Sequence, residues 1–273
     1  MTTPHRIFLT GASSGIGLAA TQMLTSAGHE VWGTTRDLRR LPAAPHLHPV
    51  SLDLNDPASL QPCFDAAAAD AGGFDVLINN AGEVINAPFE VLAADGLRHQ
   101  LETLFFGPTE LMRLALPVMR ARRAGLIINI TSLAVQFPIP FNAGYNTAKA
   151  ALAAASEGLR LELLGTGVRV VDIQPGDVKT NILRRTSHVD TPLSAAYQPN
   201  LDRARAAEAE KEGAAISPDR VARLILRLLD TPNPPPRVVI GNTFESRIAP
   251  LGARLLPRRA IEWAQRLTYG LRT

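Results

Sequence analysis

Ile7-Phe8-Leu9-Thr10-Gly11-Ala12-Ser13-Ser14-Gly15-Ile16-Gly17 carries a short apolar run straight into a glycine-rich turn, and a helical pattern over 16–27 follows. Glycines at 11, 15 and 17 let the backbone turn tightly and approach an anion closely. The N–H groups at the following helix start would then bind a pyrophosphate. The spacing is G-x-x-x-G-x-G, neither the commoner G-x-G-x-x-G nor the G-x-x-x-x-G-K of a triphosphatase. A purely structural turn is the competing reading; the place between first strand and first helix favours dinucleotide binding.

The same alternation continues through the chain. Val31–Thr34, Val50–Leu52, Val76–Ile78, Leu126–Ile130, Val168–Ile173 and Val238–Ile240 read as further strands, mostly continuous apolar runs of the kind buried on both faces. Helical patterns lie near 57–71, 89–122, 145–164 and 217–229. Asp56-Pro57 and Ser217-Pro218 each place a capping side chain before a proline at the first helical position. This predicts an α/β protein, a doubly wound parallel sheet (Rossmann fold) with its ligand crevice at the carboxyl ends of the strands. With no repeat or linker, residues 1–273 read as a single domain. Segment 177–216 reads as a substrate lid, with a disordered insertion as the alternative, and 244–273 as a basic amphipathic C-terminal extension.

Composition narrows the function classes. At 46% hydrophobic and 19% charged residues the chain is neither disordered nor fibrous. No apolar stretch reaches the length of a spanning helix, and Met1 to Thr10 lacks a signal peptide's pattern. The single cysteine, Cys63, fits a reducing compartment, so a cytoplasmic protein is expected. The formal charge of +3 conceals seven arginines within 237–273 against only Glu245 and Glu262, leaving the main body slightly acidic. Aromatics are only 5%, so no nucleic-acid partner is expected. His29, His46, His48, His99 and His188 show no metal-ligand spacing, and no metal is assigned.

The second strand ends in Thr34-Thr35-Arg36-Asp37. A carboxylate at the strand end would bind the adenosine ribose; Arg36 instead can fork onto a 2′-phosphate, which favours NADP(H) over NAD(H). Asp53 closes the third strand, placed to meet the adenine. Cations are 25 arginines and only three lysines, yet one lysine follows a tyrosine by four residues in Tyr145-Asn146-Thr147-Ala148-Lys149. Residues i and i+4 share a helix face, so the ammonium would lower the phenol's pKa and create a general acid/base. Ser132 ends the fifth strand 13 residues before Tyr145, close enough to return beside the phenol, with strand-end capping as the alternative role.

Together, Thr10–Gly17, Asn79-Asn80-Ala81-Gly82, Ser132, Tyr145/Lys149 and Pro175-Gly176 with Thr180 resemble the classical short-chain dehydrogenases/reductases. The later segment is similar, more loosely, to the 17β-hydroxysteroid and retinol dehydrogenase branch. The resemblance implies hydride transfer between a nicotinamide and a carbonyl or carbinol carbon. Tyr145 would protonate the oxygen, Ser132 would hydrogen-bond it, and Lys149 would tune Tyr145 and hold the nicotinamide ribose. Thr10, Gly11, Ser13, Ser14, Gly15, Ile16 and Gly17 would contact the cofactor, as would Arg36, Asp53 and Leu54. Asn80, Ala81 and Gly82 would line the adenosine ribose; Pro175, Gly176, Val178 and Thr180 would face the nicotinamide.

One departure stands out: Leu104 lies where the family usually carries an asparagine that holds a relay water. A cofactor-binding regulator or scaffold is therefore the alternative to an enzyme. Ala134, Phe137 and Phe141 flank or form the apolar run 137–141, implying a substrate pocket for a small apolar ketone or alcohol of steroid, retinoid, lipid or aromatic type; packing is the alternative. The helices near 89–122 and 145–164 are where the family pairs subunits, so a homo-oligomer is expected. In the tail, Leu255, Leu256, Ile261, Trp263, Leu267 and Tyr269 alternate with arginines. Packing on its own domain or another subunit is expected there ahead of a membrane surface.

Overall fold

The computed structural model describes residues 4–180, 187–188 and 192–272. Among these, seven strands form one parallel sheet: β1 (Arg6–Leu9), β2 (Glu30–Thr35), β3 (Leu47–Ser51), β4 (Val76–Asn79), β5 (Gly125–Ile130), β6 (Val168–Pro175) and β7 (Arg237–Ile240). Their spatial order is β3-β2-β1-β4-β5-β6-β7. The chain winds outward from β1 to β3, then returns to the other side of β1 with β4. The crevice between β1 and β4 is the point where a doubly wound sheet binds its ligand.

Alternating side chains feed two cores. Ile7, Leu9, Ile78 and Ile128 pack under α1 (Gly15–Ser26) and α7 (Pro218–Leu229). Phe8, Leu77 and Ile127 pack on the opposite face with α2 (Pro57–Ala71), α4 (Gly107–Ala121) and α5 (Ala143–Glu162). The period of two sends successive strand residues to opposite faces, so a continuous apolar run is what a sheet covered on both sides requires.

Several local expectations change. The third strand begins at Leu47 and runs through Pro49. Because β3 is an edge strand, a missing N–H there is tolerated. The pattern over 89–122 is not one helix: a 3₁₀ turn at Phe89–Val91 precedes α3 (Ala94–Leu101), and a π-helical turn at Glu102–Phe106 joins α3 to α4. Ser217 caps α7 by accepting from the Asp219 N–H at 3.2 Å, but the Asp56 side chain makes no such bond to α2.

In the expected lid, residues 181–186 and 189–191 lie outside the described residues. Its base is pinned by a parallel bridge between Val178 and Ile216, and α6 (Gln198–Lys211) occupies its second half. The extension forms a π-helical turn at Phe244–Ile248, α8 (Ala249–Leu255) and α9 (Arg258–Thr268), with the break at Leu256-Pro257. No helix among the described residues is long and apolar enough to cross a membrane.

Candidate active site

The turn after β1 is shaped by close contacts. Gly11 and Gly15 have φ of +70° and +53°. A methyl group on Gly11 would lie 2.8 Å from the Ala81 Cα, and one on Gly17 2.1 Å from the Gly11 carbonyl oxygen. These glycines allow β1, α1 and the β4 loop to converge. Thr10 ties them together: its Oγ1 accepts from the Asn80 and Ala81 N–H groups at 2.9 and 3.0 Å. Asn80 in turn donates through Nδ2 to the Thr10 carbonyl at 2.9 Å. The Ser14 side chain makes no cap bond to α1, whose first residues Gly15 and Ile16 line the crevice, as an anion-binding helix start does.

This crevice opens into a groove of about 260 Å³. One wall is the turn, with Gly11, Ser13, Ser14, Gly15 and Ile16; the opposite end holds Asp53 and Leu54. Arg36 and Arg40 line it together, both exposed. Asp37, the acid that could oppose a phosphate, is engaged at 2.9 and 3.0 Å by the Arg39 guanidinium and also accepts from the Arg39 N–H. The groove end is therefore cationic.

A second cavity of about 170 Å³ shares Ile16, Asn80, Gly82 and Thr180 with the groove, so the two are continuous. Its wall carries Ser132, Tyr145 and Lys149. Ser132 heads the 3₁₀ turn Leu133–Val135 and accepts from the Ala134 N–H at 3.1 Å. Its hydroxyl is also near enough to the Tyr145 phenol to pull that group's pKa downward. The capping and site roles thus coexist. Helix α5 is fixed in rotation by a buried chain: Asn79 donates to Asn129 at 2.8 Å and Asn129 to Ser156 at 2.7 Å. Ser156 lies on the same helix face as Lys149, so locking one orients the other.

Lys149 is 4% exposed, its Nζ 5.9 Å from the Tyr145 ring centroid and 2.7 Å from the Ile130 carbonyl it donates to. The electrostatics correct one expectation. The Tyr145 pKa is raised, because burial outweighs the downward pull of Ser132 and Asp177 adds negative charge nearby. The lysine shifts instead: burial lowers it to about 8, against a partial pull upward by Asp172. Loss of hydration is the dominant force on both groups.

Other expected residues divide. Pro175, Gly176, Val178 and Thr180 line the reaction cavity, and Ala81 and Gly82 the groove. Thr10 and Gly17 line neither; they build the crevice from behind. Ala134, Phe137 and Phe141 are also not among the cavity-lining residues. From that loop only Ile139 faces inward, because the Asn146 amide clamps the Ile139 N–H and carbonyl at 3.1 and 2.8 Å. Phe141 turns away at φ +61°, its carbonyl accepting from the Ala87 N–H.

Sequence reading missed Arg40, whose signal was the second cation following Arg36. It also missed Asn142, Asp177 and Glu208, which line the reaction cavity without any local motif. Asn142 donates to Glu208 at 2.9 Å. Burial raises Glu208 to about 7 and, aided by the nearby Glu245, Asp177 to about 6. The cavity is therefore apolar along Val84, Ile130 and Ile139 but polar at its α6 side. Among the described residues no group of three His, Cys, Asp or Glu side chains could hold a metal.

A family model for the short chain dehydrogenases matches residues 5–190. The chain belongs to this family. It is 31% identical over 271 residues to a 3-ketodihydrosphingosine reductase from Bacteroides thetaiotaomicron, covering 98% of this chain and 99% of that protein. Among solved structures, a short-chain dehydrogenase from Streptomyces avermitilis superposes with a TM-score of 0.82 at 29% identity, covering 99% of each chain. One from Sphingobium yanoikuyae in complex with NADPH gives 0.71 at 25% identity, covering 92% of this chain and 94% of that one.

As a short-chain dehydrogenase, the protein is an oxidoreductase that uses a nicotinamide cofactor, and its groove fits one. The cradle would be filled by a methyl group at Gly11 or Gly17, the α1 N-terminus faces it, and the reaction cavity opens from its far end. Leu104, the dehydrogenase's departure from the family pattern, is fully buried in the π-helical turn beside Gly82. One turn earlier in this oxidoreductase, Gln100 is also fully buried, and its amide has no hydrogen-bond partner among the described residues.

Proposed function

We propose that the protein is an NADP(H)-dependent reductase or dehydrogenase, interconverting a ketone and a secondary alcohol on a molecule with an apolar body. The observation that carries this reading is the meeting of Ser132, Tyr145 and Lys149 on the wall of a cavity continuous with the phosphate-binding turn. Arg36 and Arg40 support NADP(H), because two guanidinium groups at the ribose end match a 2′-phosphate. The NADPH complex of the Sphingobium neighbour agrees. Val84, Ile130 and Ile139 support an apolar body, as does the likeness to a 3-ketodihydrosphingosine reductase, a lipid ketone enzyme. Segment 177–216 serves as the lid, and the enzyme works in the cytoplasm.

The groove lined by Gly11, Ser14, Ile16, Asn80 and Thr180 would hold a nicotinamide cofactor, which would supply or accept the hydride. Ser132 Oγ holds the substrate oxygen against the Tyr145 phenol, which donates its proton as negative charge develops there. The Lys149 ammonium stabilises the phenolate left behind, and its short bond to Ile130 keeps it aimed at this region. Nearby apolar walls exclude water and strengthen each of these interactions.

The test is cofactor fluorescence with NADPH and NADH against a panel of lipid, steroid and aromatic ketones. Oxidation with NADPH preferred is expected, and Tyr145→Phe should lower turnover by about 10²–10⁴-fold with cofactor binding kept. Binding without oxidation of any ketone would instead support a regulator or scaffold, and unaltered turnover in Tyr145→Phe would refute the assigned acid.

A further inference from the structure

The C-terminal extension has two faces with opposite character. Inward, Ile261 and Tyr269 are buried, Gln265 donates to the Pro138 carbonyl at 2.6 Å, and the Lys211 ammonium sits 3.9 Å over the Tyr269 ring. Asn200 on α6 and the Arg272 backbone exchange two further bonds at 2.9 and 3.0 Å. Helix α9 is thus held on the body of the protein, one residue from the cavity-lining Ile139. Outward, Ile248, Leu251, Leu255, Trp263 and Leu267 are all more than half exposed. On α9 the positions 259, 263, 266 and 267 share the face opposite Ile261 and Gln265. Of the tail's apolar residues, Ile261 and Tyr269 are buried, whereas Leu255, Leu256, Trp263 and Leu267 are exposed on the single chain.

The same segment carries exposed cations, with Arg259 and Arg266 on the outer face of α9. Arg247, Arg254, Arg258, Arg259 and Arg266 are exposed, and none has an ion pair among the described residues. The acids of the segment cannot balance them: Glu245 is buried, bonded to the Asp177 and Asn242 N–H groups, and only Glu262 is exposed. A second copy of this chain would bring the same unpaired arginines against one another. An anionic lipid surface offers what the face presents a need for: phosphates for the guanidinium groups and an acyl boundary for Trp263 and the leucines.

We infer that the outer face of α8 and α9 docks on anionic lipid headgroups, lying flat on the membrane surface beside the rim of the reaction cavity. The docking is measured without turnover, so it stands or falls apart from the catalytic reading.

The chain has two tryptophans, and Trp32 is buried against His48, so a change in emission on docking reports Trp263. The full-length protein should sediment with vesicles of phosphatidylcholine plus phosphatidylglycerol and not with phosphatidylcholine alone. Its emission should shift to the blue, and high salt should weaken the binding. Arg259→Glu with Arg266→Glu should lower partitioning by at least about tenfold. Trp263→Ser with Leu267→Ser should lower it too, with unchanged melting curves in both cases. No sedimentation with either vesicle would overturn the inference, as would binding that survives both pairs of substitutions. Light scattering that shows these same pairs dissociating an oligomer, without vesicle binding by the parent, would make the face a subunit contact and also overturn it.

Discussion

Tyr145 and Lys149 show how far a single residue pair can be argued from spacing. Four residues apart on a helix, they share a face, and the structure puts Nζ 5.9 Å from the phenol ring centroid. Spacing says nothing about hydration, which here dominates both pKa values. The lysine's folded pKa of about 8 lies below its unfolded value, so the folded state disfavours the bound proton. That penalty is full below pH 8 and fades as pH rises toward the unfolded value. Lys149→Met should therefore stabilise the cofactor-free protein at pH 7 by about 1–3 kcal/mol, reduced by the lost bond to Ile130. The gain should shrink toward pH 10 while turnover is lost. Urea denaturation at both pH values checks this; equal gains would show that burial of the ammonium is not the cause.

At the scale of an element, the junction between α3 and α4 is the informative one. A π-helical turn carries the fully buried Leu104 beside Gly82, while Gln100, one turn earlier, lies against Gly144 at the head of α5. Leu104→Asn should cost about 1–3 kcal/mol, since a buried amide without partners replaces packed methyl groups. If a proton relay is incomplete in the parent, the same change should raise turnover. A lower melting temperature with unchanged or reduced turnover would locate the relay elsewhere. The helix pattern over 89–122 hid this junction because the chain stays helical through a π-helical turn, with no break in helical character to mark it.

For the whole molecule, the remaining exposed apolar residues bear on assembly. Phe106 just before α4 and Val118 on it are exposed, as are Leu161 at the end of α5 and Leu164 just past it, at 66% and 74%. Side chains this large and this exposed on two neighbouring helices suit a self-complementary contact between copies. Light scattering should give a multiple of the single-chain mass, and Val118→Glu with Leu161→Glu should move it toward the monomer. A parent protein that is already monomeric at micromolar concentration would remove this expectation.

The glycine turn, the apolar strand runs and the Tyr145–Lys149 interval were legible because each is a local statement about backbone geometry or helix phase. From them follow the parallel sheet, the crevice between β1 and β4, and the face of α5 that carries the chemistry. Tertiary structure alone decided what long-range packing controls. It brought Glu208 of α6 and Asn142 into the reaction cavity, turned Ile139 inward and Phe141 away, engaged Asp37 with Arg39, and left most of the tail's apolar stripe uncovered on the single chain. Burial is a property of neighbours distant in the chain, so neither hydration-driven pKa shifts nor an unpartnered surface can be read from adjacent letters.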